Sequence, residues 1–237
     1  MKITTIAFDA DDTLWENEVY YRRMRARFVD LLAPYVDPQT AGRRLDALEI
    51  DNVHWYGYGI KSFTLSMIET ALELSDGKIG GEVIRAILGF GREMHAHPVE
   101  VFDGVEPVLA ELKQGYTLAL VTKGDLLEQG RKVQRSGLAR YFDRVEIVHE
   151  KNAQGYRELM ERHRIPPAAF LMVGNSLRSD ILPVIEIGAQ AVYVPYEHTW
   201  SLESAEIDPH QHHFYEIETL RQLPSLLAEL ERRRSTD

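Results

Sequence analysis

The sequence of 237 residues contains no cysteine. This absence excludes disulfide bonds, thiolate catalysis and cysteine-based metal sites. No apolar run approaches the length of about 18 residues that a transmembrane helix requires. The N-terminus opens on a strand pattern instead of a signal or transit peptide. We therefore expect a soluble, cytoplasmic protein.

Basic residues are also outnumbered by acidic ones. The sequence has 27 Lys and Arg and 37 Asp and Glu, which gives a formal net charge of −10. Nucleic-acid binders and proteins of anionic membranes need a basic surface, so we expect neither nucleic acid nor membrane as a partner. A small anionic substrate remains open, since one site can be locally positive. The apolar fraction of 44% suffices for a packed core. We expect a monomer or a homodimer.

Five short segments rich in β-branched and aromatic residues predict buried strands. They are residues 3–8, 116–121, 144–148, 170–173 and 190–194. Helical patterns alternate with the strands after residue 103, and 217–230 predicts a closing helix. Asp103 and Asp125 each precede a glutamate by three residues, which predicts capping boxes. The alternation predicts an α/β fold with a doubly wound parallel sheet.

About a hundred residues separate the first two predicted strands, whereas a crossover needs only about a dozen. Apolar residues recur at helical spacing in this stretch, in residues 19–33, 41–50, 60–74 and 79–95. We therefore predict an inserted all-helical domain at residues 16–97, and a core domain made of residues 1–15 and 98–237. Hinges are expected near residues 15–17 and 97–99.

Polar residues follow four of the predicted strands. In chain order they are Asp9, Asp11 and Asp12; Thr122 and Lys123; Glu150 and Lys151; and Asn175 and Asp180. In an open parallel sheet, ligands bind at the carboxyl ends of the strands. Carboxylate and amide oxygens suit Mg²⁺, while a hydroxyl, helix N–H groups and a lysine suit phosphate oxygens. A cation would also relieve the repulsion among the carboxylates. The residues by themselves predict a Mg²⁺-dependent phosphoryl-transfer site.

These residues resemble, in order and in placement, the four motifs of the haloacid dehalogenase superfamily. The motifs are Asp9-x-Asp11-x-Thr13, Thr122 after an apolar strand, Lys151, and Gly174-Asn175-x4-Asp180. The resemblance covers nearly the whole chain. It implies a Rossmann-like core with a helical cap of the C1 type that closes over the site and selects the leaving group. It further implies a phosphatase that hydrolyses phosphate monoesters of small metabolites with Mg²⁺ as cofactor.

The resemblance also implies a role for each residue. Asp9 would attack phosphorus, and Asp11 would protonate the leaving oxygen and then activate water. Residues two apart in a strand point the same way, so Asp9 and Asp11 can face one substrate. The phosphoryl group would be bound by Thr122, Lys123 and Lys151. Mg²⁺ would be held by Asp9, the Asp11 carbonyl, Asn175 and Asp180.

Two positions depart from the superfamily pattern. Asn152 stands where a proline is common, and we expect a purely local effect on the turn. Asn175 stands where relatives usually have an aspartate that binds the metal. Because an amide brings no charge, we expect weaker Mg²⁺ binding than in a typical member.

Three alternatives to the phosphatase remain. A dehalogenase or other C–X hydrolase is disfavoured by Asp11, since halide departure needs no proton. No feature favours a phosphomutase. A non-catalytic binding or regulatory protein on the same fold is thinkable because of Asn175.

Several other residues have less specific interpretations. Asp12 is predicted to hold the loop, and Trp15 either contacts the leaving group or serves as a hinge. The three histidines of the stretch 208–213 predict a surface loop instead of a metal site, because they lack the helical i, i+4 spacing. They are His210, His212 and His213.

Overall fold

A parallel sheet of six strands forms the centre of the fold. The computed structural model describes residues 2–205 and 214–234. The strands are β1 (Thr5–Phe8), β2 (Thr117–Lys123), β3 (Arg144–Val148), β4 (Phe170–Gly174), β5 (Gln190–Tyr193) and β6 (Tyr215–Glu216). Their order is β3-β2-β1-β4-β5-β6, and all five pairings are parallel. This order is that of a doubly wound sheet, so the predicted fold class is confirmed.

Helices occupy most of the remaining described chain. They are α1 (Glu18–Leu32), α2 (Pro38–Tyr56), α3 (Ile60–Leu74), α4 (Gly81–Ala96), α5 (Val105–Leu112), α6 (Leu126–Arg135), α7 (Ala153–His163), α8 (Leu182–Glu186) and α9 (Leu223–Arg234). Short 3₁₀ turns lie at Leu138–Tyr141, Pro167–Ala169, Ser201–Glu203 and Leu220–Gln222, and a π-helical turn lies at Leu177–Ile181. Among the helices of residues 2–205 and 214–234, none has the length and apolar composition of a membrane span.

The sheet is buried on both faces, because successive side chains of a strand point to opposite sides. Ile6 and Phe8 of β1 enter one apolar cluster, which includes residues of α5 and α9. Ala7 lies between them in sequence and enters a second cluster, which includes residues of α7 and α8. The core therefore has three layers, with helices on both faces of the sheet. Strands that are apolar along their whole length predict this arrangement, because both of their faces are buried.

Most predicted strand and helix bounds agree with the structure to within a few residues, and β3 and α3 agree at both ends. Asp125 is an N-cap as predicted, since its Oδ1 accepts the Glu128 N–H at 3.0 Å. The prediction for Asp103 is wrong, because α5 begins after Gly104, whose φ of 87° is readily adopted by glycine. The closing helix begins six residues later than predicted, with Pro224 in its first turn.

The chain divides into two compact units. One comprises Met1–Glu16, Val99–Lys123 and Gly130–Asp237 and contains the sheet. The other comprises Asn17–Pro98 and Gly124–Gln129. Within this helical unit, α1 to α4 enclose an apolar core that includes Phe28, Leu45, Phe63, Met67 and Ile87. That the helical unit acts as a cap stays a prediction. The predicted histidine loop lies outside the described residues.

Glu49 of α2 is a largely buried carboxyl group of the helical unit. Its Oε2 lies 3.6 Å from Nη2 of Arg25 on α1, and Arg25 also pairs with Asp46. Burial raises the pKa of Glu49 to about 7, against the smaller lowering effect of Arg25. The folded-state pKa thus exceeds the unfolded value of 4.5, and the folded state holds the extra proton between these values. The free energy of unfolding therefore falls as pH rises from about 4.5 to 7.

Replacing Glu49 by Gln is expected to remove this pH-dependent loss of stability. Glu49→Gln should be more stable than wild type by roughly 2 kcal/mol at pH 8, and by much less at pH 5. Urea unfolding across this pH range measures the difference. Asp51→Asn removes an exposed carboxylate from the same helix and serves as control, with no such trend expected. A Glu49→Gln variant that gains nothing at pH 8 would contradict the assignment.

Candidate active site

One buried lysine lies between two buried carboxylates at the carboxyl ends of the strands. Lys151 Nζ is 2.5 Å from Asp9 Oδ1 and 2.8 Å from Asp180 Oδ1. The side chains of Lys151, Asp9 and Asp180 are 2%, 9% and 1% exposed. Buried charges are tolerated when they are paired and hydrogen-bonded. Here a single ammonium serves two carboxylates, so the cluster carries an excess of negative charge.

The pKa values reflect this imbalance. Burial raises the pKa of Asp180 to about 7, although the ion pair with Lys151 acts in the opposite direction. Burial alone would lower the pKa of Lys151, but Asp180 and Asp9 raise it well above its usual value. Lys151 is therefore a cation, and its ion pair only partly offsets the burial of the Asp180 carboxylate, which leaves a deficit of positive charge there. A further cation beside Asp9 and Asp180 would relieve that deficit.

The turn that presents Lys151 is fixed by the start of α7. Asn152 is the N-cap of this helix, and its Oδ1 accepts the Gly155 N–H at 2.8 Å. An N-cap asparagine stabilises the first turn of a helix by satisfying one of its free N–H groups. The departure from the superfamily pattern at Asn152 thus has a local structural role, as the sequence predicts.

Thr13 connects the first motif to the fourth. Its hydroxyl donates to Asp9 Oδ2 at 2.9 Å, and it accepts the Asn175 N–H at 3.1 Å. The Asn175 side-chain oxygen lies 3.2 Å from the same hydroxyl. Both oxygens of Asp9 are consequently held, one by Lys151 and one by Thr13. The sequence pattern included Thr13 without a role, and the structure places it as the link between Asp9 and Asn175.

Asp180 lies in the π-helical turn after β4. While Oδ1 meets Lys151, Oδ2 accepts the Ser176 N–H at 3.0 Å. The hydroxyl of Ser176 in turn accepts the Ser179 N–H at 2.9 Å. A π-helical turn is uncommon and is frequently found at functional sites. Asp180 is thus aimed at Lys151 by the backbone of its own turn.

Gly174 lets this turn pack closely on β4. A Cβ at this position would lie 2.7 Å from Asp180 Cβ and would collide with the Asp180 carboxylate. The side chain of Asp180 is fully buried, so it has no free space into which it can move. The fourth motif therefore requires glycine at position 174, because the Asp180 side chain packs directly against its Cα.

Asp11 lies in a separate ion pair. Lys132 Nζ of α6 is 2.8 and 2.7 Å from its two carboxylate oxygens, and Trp15 Nε1 donates to Oδ1 at 2.6 Å. β1 ends at Phe8, and Asp12 adopts a left-handed conformation with φ of 61°. The alternating side-chain directions of an extended strand therefore do not extend to Asp11. The turn after β1, and not the strand, sets the direction of the Asp11 side chain. Trp15 is fully buried and holds Asp11.

Lys123 is also paired. Its Nζ is 2.5 Å from Glu203 Oε1, 3.1 Å from Ser179 Oγ and 3.6 Å from Glu150 Oε1. Burial acts to raise the pKa of Glu203, but Lys123 and two serine hydroxyls lower it below its usual value. Thr122, the preceding residue, is buried at the carboxyl end of β2.

Six of the seven predicted site residues, all except Thr122, thus fall into three groups in the structure. Asp9, Lys151, Asn175 and Asp180 form one hydrogen-bonded cluster. Asp11 pairs with Lys132, and Lys123 pairs with Glu203. No local sequence pattern marked Lys132 or Glu203 as a site residue. Lys132 lies on α6, and Glu203 lies in a 3₁₀ turn that is far in sequence from the four motifs.

The donor set fits Mg²⁺. Among the residues that the structure describes, no group of three His, Asp or Glu residues is placed to hold a metal. Two carboxylates and an amide oxygen lie in the hydrogen-bonded cluster as possible donors, from Asp9, Asp180 and Asn175. Mg²⁺ prefers oxygen ligands and commonly retains several waters, so it needs few protein groups. The uncompensated charge at Asp180 favours the same cation.

Comparison with known proteins gives one consistent family. A family model described as haloacid dehalogenase-like hydrolase matches residues 3–188. A solved structure of a haloacid dehalogenase-like family hydrolase from Xanthomonas campestris is 38% identical, with a TM-score of 0.88. That likeness covers 99% of this chain and 94% of the other.

Two curated relatives are similar over nearly their full lengths. Glyceraldehyde 3-phosphate phosphatase of Pyrococcus furiosus is 24% identical over 245 residues, covering 100% of this chain and 96% of the relative. N-acylneuraminate-9-phosphatase of Homo sapiens is 23% identical over 242 residues, covering 97% and 96%. The two relatives are named for different phosphorylated compounds, so the similarity by itself singles out no substrate.

The close approach at Gly174 predicts a site-specific loss of stability. Gly174→Ala should lower the free energy of unfolding by about 1–3 kcal/mol, because the new methyl group displaces a buried carboxylate. Urea unfolding measures this difference. Gly42→Ala is the matched control, since a Cβ at that helical position meets nothing within 4 Å. It should stabilise by about 0.5–1 kcal/mol. Equal effects at both positions would contradict the packing argument.

Proposed function

The chain belongs to the haloacid dehalogenase-like hydrolases, and we propose that it is a Mg²⁺-dependent phosphatase acting on phosphate monoesters of small metabolites. The observation that carries this proposal is the buried Lys151 that joins Asp9 to Asp180. The family makes the chain a hydrolytic enzyme. The names of the curated relatives favour phosphate monoesters over other substrates. The helical unit would select the leaving group.

The first half of the proposed reaction transfers the phosphoryl group to Asp9. A carboxylate oxygen of Asp9 attacks phosphorus, and the bond from phosphorus to the leaving oxygen breaks. Lys151 and Thr13 hold one oxygen each of Asp9, which restricts the direction of attack. Bound Mg²⁺ would supply charge neutralisation at the phosphoryl oxygens. Lys151, Lys123 and the Thr122 hydroxyl would stabilise the same oxygens as charge develops.

Asp11 would act as the proton donor in the first half of the reaction and as the proton acceptor in the second half. In its protonated form it donates a proton to the leaving oxygen and becomes a carboxylate. That carboxylate then accepts a proton from the water that attacks the phosphorus of the aspartyl-phosphate, which restores the protonated form. The bond from phosphorus to Asp9 then breaks and inorganic phosphate is released. Lys132 and Trp15 donate to the Asp11 carboxylate, which keeps the side chain in one place between the two halves. A dehalogenase would make no use of a proton donor here.

Replacing the nucleophile is the direct test. Wild type with Mg²⁺ should hydrolyse an aryl phosphate and some members of a panel of phosphorylated metabolites. Asp9→Asn should lower kcat by at least about 10³-fold, because an amide cannot form the aspartyl-phosphate. Phosphate release measures turnover, and Asp51→Asn serves as a control for loss of a carboxylate elsewhere.

Three outcomes would contradict the phosphatase. Wild type that turns over no phosphate ester would favour a non-catalytic protein. Release of halide from 2-haloacids without release of phosphate would favour the dehalogenase. Phosphate hydrolysis that survives Asp9→Asn would exclude Asp9 as nucleophile.

Asn175→Asp tests the proposed metal site. A carboxylate at this position adds a charged oxygen donor beside Asp9, so Mg²⁺ affinity should rise by about tenfold. Titration of Mg²⁺ by calorimetry, and against activity, measures this change. Asn152→Asp adds the same charge at the N-cap of α7, outside the donor set, and should leave Mg²⁺ affinity unchanged. Unchanged or weaker binding by Asn175→Asp would count against a site at Asn175.

A further inference from the structure

The 3₁₀ turn Ser201–Glu203 lies against the turn that carries Asp180. Arg178 Nη1 donates to the Leu202 carbonyl at 3.1 Å, and Ser176 Oγ lies 3.1 Å from the Glu203 carbonyl. The side chain of Glu203 adds two shorter contacts, because its Oε2 is 2.5 Å from both Ser176 Oγ and Ser179 Oγ. Backbone and side chain of Glu203 therefore hold the same turn.

Glu203 also ties this turn to the end of β2. Its Oε1 is 2.5 Å from Lys123 Nζ, and the two side chains are 16% and 11% exposed. An exposed ion pair contributes little, whereas a largely buried one leaves a costly unpaired charge when a partner is removed. One carboxylate thus receives an ammonium and two hydroxyl groups. A carboxylate accepts at both oxygens, while the amide of glutamine would turn a donor toward one of these groups.

The contacts of Glu203 lead directly to Asp180. Ser176 donates its N–H to Asp180 Oδ2, and Ser179 is the residue before Asp180. Tyr156 fixes the same turn by donating to the Ser179 carbonyl at 3.0 Å. Glu203 holds the side chains of both serines, so together with Tyr156 it fixes the backbone of this turn. The orientation of Asp180 toward Lys151 depends on that backbone.

We propose that Glu203 is a positioning residue for the hydrolytic site, which acts through Ser176 and Ser179 on Asp180 and through an ion pair on Lys123. The inference rests on the proposed function, in which Asp180 holds Mg²⁺ and Lys123 faces the phosphoryl group. In this role Glu203 acts through its contacts with Lys123, Ser176 and Ser179. Groups that orient a metal ligand typically change metal affinity by about 10- to 100-fold when they are replaced.

Glu203→Gln is the decisive variant. Calorimetric titration of Mg²⁺ in the absence of substrate should show a dissociation constant raised by about tenfold or more. Both kcat and KM should change, since Asp180 and Lys123 are each misplaced. Glu203→Asp keeps the charge and should recover part of the Mg²⁺ affinity. Glu197→Gln is the matched control, because Glu197 also lies between β5 and β6 and its side chain is 79% exposed.

The outcomes separate this inference from the proposed function. A folded Glu203→Gln protein with unchanged Mg²⁺ affinity overturns the inference, while wild-type phosphatase activity still stands. Wild type that binds Mg²⁺ without hydrolysing phosphate esters overturns the proposed function. The effect of Glu203→Gln on Mg²⁺ affinity can still be measured in that case, so it still tests the positioning role. Wild type that binds no Mg²⁺ overturns both. If Glu203→Gln fails to fold, Ser179→Ala removes one of its contacts, and unchanged Mg²⁺ affinity in that variant overturns the inference.

Discussion

The structure of the site depends on one constraint, which is that a single buried ammonium must serve two buried carboxylates. Lys151 meets Asp9 and Asp180, and both carboxylates are too little exposed for solvent to replace a lost contact. Each carboxylate therefore needs a second donor, and the fold supplies one to each. Thr13 donates to Asp9, and the Ser176 N–H donates to Asp180. The hydrogen bonds around the cluster follow from the need to keep two like charges next to each other.

The strand order determines how this constraint is met. β1 and β4 are neighbours, so Asp9 and the turn after Gly174 lie side by side at one edge of the sheet. β3 is separated from β1 by β2, and Lys151 follows β3. Only a long side chain can extend past the end of β2 to reach Asp9. The parallel order and the length of lysine together bring three distant segments to one point.

What the sequence predicts well is what local pattern decides. Short apolar runs identify the strands, and polar residues directly after them must gather at the carboxyl edge, so the meeting of Asp9, Lys151 and Asp180 follows from the pattern. Lys132 and Glu203 do not follow from it. Lys132 is 121 residues from its partner Asp11, and Glu203 is 80 residues from its partner Lys123. Their neighbours in sequence resemble any solvated helix or loop, and only tertiary packing selects them. β6 has two residues, too few to show a periodicity.

The charges around the site also give a reason for Asn175. Asp11 is matched by Lys132, and Glu203 is matched by Lys123, so these pairs leave little net charge near the cluster. With both carboxyl groups ionised, Asp9, Asp180 and Lys151 together leave one negative charge. A divalent cation would convert this to one positive charge, which attracts a phosphate dianion. An aspartate at position 175 would cancel that positive charge. In the proposed reaction the amide would weaken the hold on the cation and strengthen the attraction for the phosphoryl group, which are opposing effects.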